Sequence, residues 1–258
     1  VKPDLVISVP LILEKIYKNA ILPKINDPKV KFMLSTPILK KVVHKKIRQS
    51  LIDAMGGKMH EIIIGGAALN PEVEEFLCKI KFPLTVGYGM TECGPLISYD
   101  HNYDFIPSSC GKILDNIMVV RVDSEDPYNI PGEIQVRGEN VMLGYFKNEK
   151  ATQEAFTEDK WLRTGDLGTI DKNNRIFIKG RCKTMLLSGN GQNIYPEEIE
   201  AKISNLPFIA ENLIIQRNSK LVALIYPDYE AVDKEGIKRE ELINIFNGYK
   251  TKPHQTHP

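Results

Sequence analysis

The chain has no long hydrophobic run, no excess of charge of either sign and few cysteines, and each shortage excludes a class of function. A membrane-spanning helix needs about 20 consecutive apolar residues, and no apolar stretch approaches that length. Among 258 residues, 34 Lys and Arg stand against 33 Asp and Glu, a formal charge of +1. Bulk charge therefore gives no ground for nucleic acid as a partner or for an acidic one. The four cysteines, Cys78, Cys93, Cys110 and Cys182, form no C-x-x-C pair. A chain of this length builds a core without a disulfide framework, so reduced thiols in a cytoplasmic protein are expected. The histidines (His44, His60, His101, His254 and His257) do not cluster with the cysteines, which leaves no zinc-type ligand set. No signal-peptide pattern is legible, although the chain begins at Val1 rather than Met and reads as an excised piece.

What the sequence holds instead is alternating periodicity. Its composition, 42% apolar and 26% charged, is that of a globular chain. Residues 1–100 alternate strand-like and helix-like segments. "ISVPLILEKIYKNAI" reads as a short strand and a helix, and "KKVVHKKIRQSLIDAM" carries Val43, Ile47 and Leu51 at helical spacing. "EIIIGG" reads as a buried strand, and "NPEVEEFLCKI" starts a helix with Pro71 at its first position, followed by the strand "FPLTVGYG". Strand–helix–strand alternation predicts a parallel α/β sheet. Residues 101–180 are β-rich, with Asn173–Asn174 as a hairpin turn before "RIFIKG". Residues 181–258 read as a smaller α+β domain, with the helix "YPEEIEAKISNL", the strands "NLIIQ" and "KLVALIYP", and a last helix in "KREELINIFNGYK". The basic segment "KKVVHKKIR" offers a peripheral membrane contact; the preferred reading is a solvated helix whose Val43 and Ile47 meet the core.

Two strand ends are marked by glycine. In "IIIGGAALNP", Gly65, Gly66 and Ala67 lack bulk and let a ligand approach the backbone. In "VGYGMTE", Tyr88 stands between Gly87 and Gly89 and is placed to offer an aromatic platform. Thr91 and Glu92 follow. A hydroxyl beside a carboxylate suits a phosphate accompanied by a hard divalent cation. Downstream, in "WLRTGDLGTIDKNNRIFIKGRCK", Asp166 lies between Gly165 and Gly168 and is expected in a tight turn. A lone carboxylate there suits a sugar diol, with Arg181 as a further donor. Taken singly, each stretch is the ordinary content of a turn.

Taken in order, "GGAALNPEVEEFL", "VGYGMTE", "GEIQVRGENVMLGYFKNEKATQEAF", "KWLRTGDLG" and "IFIKGRCKTMLLSGNGQNIYPEEIE" resemble the motifs of the adenylate-forming enzymes: acyl-CoA synthetases, firefly luciferase and the adenylation domains of peptide synthetases. "ISVPLILEKIY" and "GYGMTECGP" most resemble the long-chain fatty acid–CoA ligases. The resemblance implies the C-terminal portion of that fold: a partial α/β subdomain, a β-barrel subdomain and a small mobile C-terminal domain. It implies ATP or AMP, Mg²⁺ and coenzyme A as ligands and a fatty acid as substrate, with two steps through an acyl-adenylate to acyl-CoA. Tyr88 is expected against adenine, with Gly89 beside it and Gly66, Ala67 and Ala68 along the other side. Thr91 and Glu92 are expected at the α-phosphate and the metal, and Asp166 and Arg181 at the ribose. The resemblance puts the hinge of the mobile domain at Lys183, and Gly189 and Gly191 beside the pantetheine arm of coenzyme A. Such chemistry depends on positioning and charge stabilisation rather than a side-chain nucleophile, in keeping with a sequence that shows no Ser–His–Asp or Cys–His pattern.

The sequence departs from the family pattern in two places. No Ser/Thr/Gly-rich phosphate loop precedes these motifs, and neither Lys250 nor Lys252 lies in the motif of the C-terminal catalytic lysine. A catalytically incomplete piece, cut at both ends and leaving apolar surface and unpaired strand edges, is therefore the expectation. The alternatives are an enzyme for an aryl, short-chain or amino-acid substrate, or a non-catalytic AMP-binding module.

Overall fold

In the computed structural model of the protein, residues 2–188 and 191–249 are described. Two compact units divide the chain, Val1–Met185 and Leu186–Pro258. The first unit begins with a parallel three-stranded sheet in the order β1 (Leu5–Ser8), β2 (Glu61–Ile64), β3 (Leu84–Val86). Parallel neighbours require a crossover. Helices α1 (Pro10–Ile16), α2 (Leu22–Asn26), α3 (Pro28–Ser35) and α4 (Pro37–Ala54) lie between β1 and β2, and α5 (Pro71–Lys79) lies between β2 and β3.

Local chemistry sets these helix starts. The Asp27 carboxylate accepts from the Lys29 N–H at 2.8 Å ahead of α3, and the Asn70 side chain accepts from the Glu72 N–H at 3.0 Å ahead of α5. Proline opens both helices, where its missing N–H has no cost. The apolar stripe of α5, Val73, Leu77 and Ile80, is buried with Ile62, Ile64 and Leu84 of the sheet. On α4, Val43 is buried and Ile47 packs against that core, while Lys40, Lys41, Lys45 and Lys46 are exposed, as the amphipathic spacing predicts. Strand β1 is a sheet edge, and Leu5, Ile7, Val9 and Leu11 around it are exposed.

Strands β4 (Tyr88–Gly89), β5 (Leu96–Tyr99) and β6 (Lys112–Ile113) form a small antiparallel sheet. Strands β7 (Met118–Asp123), β8 (Gly132–Gly138), β9 (Leu162–Ile170) and β10 (Ile176–Arg181) form an antiparallel meander, with α6 (Glu149–Ala155) between β8 and β9. Ile134, Val136 and Ile176 are fully buried on its inner face, together with Cys93 and Ile97. The Asn173–Asn174 turn forms, with Asn174 at φ 59° and the Asp171 carboxylate accepting from the Asn173 and Arg175 N–H groups.

The second unit contains a short hairpin, β11 (Leu186–Leu187) and β12 (Asn193–Ile194), then α7 (Pro196–Ser204), a long hairpin of β13 (Ile209–Arg217) and β14 (Lys220–Pro227), and helices α8 (Tyr229–Lys234) and α9 (Leu242–Tyr249). Its tight turn is Asn218–Ser219, both at positive φ (51° and 59°), the left-handed geometry that twisted two-residue hairpins favour. Glu200 of α7 fastens helix to hairpin by accepting the Ile214 N–H at 2.7 Å. No helix among the described residues is long and apolar enough to cross a membrane.

The architecture is the expected mixture: a parallel α/β part, a β-rich part and an α+β part. One local expectation is overturned. Asp166 does not sit in a tight turn; it lies inside the nine-residue strand β9. Gly165, at φ 72°, bends the strand there instead of ending it, and the β8–β9 register shifts between Glu133 and Gln135.

Candidate functional site

Antiparallel pairing places Asp166 of β9 directly opposite Arg181 of β10. Direct cross-strand partners bring side chains within reach of each other, and Arg181 Nε lies 3.1 Å from Asp166 Oδ1. From the other side, the Tyr88 hydroxyl donates to Asp166 Oδ2 at 2.8 Å. Each carboxylate oxygen thus holds one donor and keeps a second acceptor direction. Asp166 is 7% exposed, whereas Arg181 is exposed, so the carboxylate is the fixed member of the pair. The Asp166 N–H donates to Thr164 Oγ1 at 3.1 Å, and that hydroxyl donates to the Ile134 carbonyl at 2.8 Å. Burial, and then the nearby Asp166 charge, push the Tyr88 hydroxyl far above its ordinary value. Tyr88 is therefore a permanently protonated donor, and its half-buried ring packs against the core of the meander.

Tyr88 is delivered to this point by β3. The neighbouring strands β2 and β3 run in parallel, and the Gly87 N–H still pairs with the Ile64 carbonyl at 2.9 Å. The segments 65–68 and 87–92 therefore leave the carboxyl ends of adjacent parallel strands, the end at which open α/β sheets bind ligands. Gly66, Ala67 and Ala68 are exposed there. Gly66 has φ 85° and open space where a side chain would stand. Gly89 answers to a different constraint: a Cβ there would strike the Pro95 carbonyl oxygen. It is explained by backbone packing across β4 and β5.

Thr91–Cys93 form a single 3-10 turn that leaves Thr91 exposed and Glu92 half-buried. Residues 140–145 grip this turn. The Asn140 side-chain amide donates to the carbonyls of Cys93 (2.5 Å) and Leu96 (3.2 Å), and the Met142 N–H donates to the Glu92 carbonyl at 2.7 Å. The Tyr145 hydroxyl donates to Glu92 Oε1 at 2.9 Å. No group of three or more His, Cys, Asp or Glu side chains able to hold a metal occurs among the described residues. Glu92 is a lone carboxylate there, a donor compatible with Mg²⁺, an ion commonly bound through one or two carboxylates, phosphate oxygens and water.

The structure therefore brings Tyr88, Asp166 and Arg181 into direct contact, and sets Gly66, Ala67 and Ala68 at the strand end beside that of Tyr88. Thr91 and Glu92 follow Tyr88 within the same loop. Lys183 is exposed in a turn just ahead of the boundary between the units. Gly191 belongs to the second unit, exposed and at φ 81°; Gly189 lies outside the described residues. Sequence reasoning missed Thr164, Asn140 and Tyr145. The stretch "GENVMLGYF" was legible as a motif, but its side-chain targets lie some fifty positions upstream and no spacing rule reaches them.

A family profile described as "AMP-binding enzyme" matches residues 1–146. A 4-coumarate-CoA ligase from Narcissus pseudonarcissus is 32% identical over 202 residues, 74% of this chain and 35% of that protein. The peroxisomal long chain acyl-CoA synthetase 6 of Arabidopsis thaliana is 33% identical over 234 residues, 84% of this chain and 32% of that protein. Among solved structures, o-succinylbenzoate CoA synthetase from Bacillus subtilis, in complex with its acyl-adenylate intermediate, superposes with a TM-score of 0.60 at 27% identity. That match covers 76% of this chain and 44% of the other. The chain spans about a third of the length of the two relatives.

Proposed function

The chain belongs to the AMP-binding enzyme family, and from that membership we propose that it carries the adenylate-gripping part of an AMP-forming acid–CoA ligase. In the proposed reaction a carboxylate attacks the α-phosphate of ATP, giving acyl-AMP and pyrophosphate, and the thiol of coenzyme A then displaces AMP to give acyl-CoA. The observation that carries the reading is the Tyr88–Asp166–Arg181 cluster. A buried carboxylate whose two oxygens each hold one donor and keep a second acceptor direction is placed to accept two ribose hydroxyls.

Within this reading Tyr88 borders adenine, together with Gly66, Ala67, Ala68 and Gly89. Asp166 and Arg181 hold the ribose, Thr91 donates to the α-phosphate, and Glu92 holds Mg²⁺. That ion, when bound, offsets phosphate charge. The remaining contributions are positional, as a reaction without a protein nucleophile requires. Lys183 serves as hinge, and Gly189 and Gly191 accompany the pantetheine arm. The division into functional zones at residues 100 and 180 belongs to the same proposal, as does a cytoplasmic protein that takes fatty acid, ATP and coenzyme A.

The favoured acid is a long-chain fatty acid, on the strength of "ISVPLILEKIY" and "GYGMTECGP". An aryl acid is the second reading, because a relative named as a 4-coumarate ligase matches at nearly the same identity as the acyl-CoA synthetase. Comparing palmitate with 4-coumarate in thioester formation by the full-length gene product separates the two. The nucleotide reading is tested on this chain by AMP titration. Asp166→Asn keeps the shape but removes the charge, and is expected to weaken AMP about ten- to a hundredfold, the scale of one or two hydrogen bonds to a charged group. Equal affinity in both proteins removes the ribose assignment.

A further inference from the structure

The stretch 140–145 holds the turn at residues 91–96 through three residues, and they do different things. Asn140 and Met142 bond only to backbone carbonyls, of Cys93 and Leu96 and of Glu92. Tyr145 alone touches a side chain, donating to Glu92 Oε1 at 2.9 Å. Among the described residues this is the one hydrogen bond to the Glu92 carboxylate, so Oε2 stays available.

Tyr145 is itself anchored. Its N–H donates to Thr152 Oγ1 at 2.9 Å, and the Thr152 hydroxyl donates to the Asn148 carbonyl at 2.9 Å. The Asn148 side chain caps α6 by accepting the Ala151 N–H at 3.1 Å. At Gly144 a Cβ would press to 2.7 Å from Thr152 Cγ2, so the backbone beside Tyr145 is seated on α6 with no room to spare. A helix cap thus fixes the backbone from which the Tyr145 hydroxyl reaches Glu92.

The chemistry of the donor matters. A lysine or arginine at this place would orient Glu92 and also cancel its charge. A phenol orients one oxygen and leaves the negative charge for a cation.

We propose that Tyr145 is a positioning residue for Glu92, holding one carboxylate oxygen so that the other meets the divalent cation accompanying the nucleotide. The inference rests on the ligase reading above and adds to it a residue and a function for "GENVMLGYF". The test is calorimetric titration of the chain with ATP, once with Mg²⁺ and once with EDTA, for the wild type, Tyr145→Phe, Glu92→Gln and the double variant. Tyr145→Phe is expected to keep the melting temperature and the affinity in EDTA, because the side chain is 41% exposed. It should lower the gain in affinity from Mg²⁺ by about three- to tenfold, and add nothing on top of Glu92→Gln. A full Mg²⁺ gain in Tyr145→Phe overturns the inference and leaves the ligase reading intact. So does an equal loss with and without the metal, while a wild type whose ATP affinity ignores Mg²⁺ overturns it together with the metal assignment of Glu92. A wild type that binds ATP in neither condition overturns this inference, and one that also fails to bind AMP removes the ligase reading with it.

Discussion

Glu74 shows how a single buried carboxyl makes stability depend on pH. It lies on α5 at 5% exposure, and both its oxygens face the Ser108 N–H at 3.1 Å. Burial raises its carboxyl to about 7, against the opposing pull of that hydrogen bond. The folded chain therefore holds this proton more tightly than the unfolded chain, where the value is 4.5. Below the unfolded value both states are protonated and the site carries no penalty. Between there and about pH 7 the unfolded chain ionises first, so stability falls as pH rises, by up to about 3 kcal/mol in total. Glu74→Gln, a neutral mimic of the protonated side chain, is expected to remove that slope and to exceed the wild type in urea denaturation above neutral pH. Parallel slopes for the two proteins would exclude Glu74 as the source. Cys110 lies in the same neighbourhood, and burial pushes its thiol to about 12. It stays protonated at neutral pH and is a poor nucleophile.

Among the elements, those with their own periodicity were legible and those defined by distant partners were not. Helix α5 was legible from Pro71 at its first position, and the β13–β14 hairpin from the strands "NLIIQ" and "KLVALIYP". Helices α2 and α3 had no reading from the sequence; Pro23 and Pro28 stand in their first turns, where proline is tolerated. Asp166 was expected in a turn because glycines flank it, yet the strand continues through Gly165 by adopting a positive φ. Motif order singled out Tyr88, Glu92 and Asp166, while the contacts of Tyr88 with Asp166 and of Tyr145 with Glu92 depend on tertiary pairing across 78 and 53 positions. Gly89 belongs to this scale as well. A methyl group there meets the Pro95 backbone where β4 pairs with β5, so Gly89→Ala is expected to cost about 1–3 kcal/mol. Chemical denaturation measures it, and an unchanged midpoint would show that the β4–β5 approach has slack.

At the scale of the molecule, the boundary between units falls after Met185, and the turn just before it exposes Lys183, two residues beyond the exposed Arg181 that ends β10. Brief digestion with trypsin is expected to cut there early and leave a resistant piece ending near residue 183. Early cutting within α4, which carries exposed lysines on a regular helix, would contradict the division. The pairing of Asp166 with Arg181 has a further consequence. These residues are strand neighbours, and slipping β10 by one position along β9 turns alternate side chains to the opposite face. The carboxylate and its guanidinium partner then lie on different faces of the sheet. A nucleotide held as proposed would act as an inspector of strand alignment, stabilising correctly registered molecules and leaving misaligned ones unrewarded, so under that proposal added AMP should raise the yield of refolded chain.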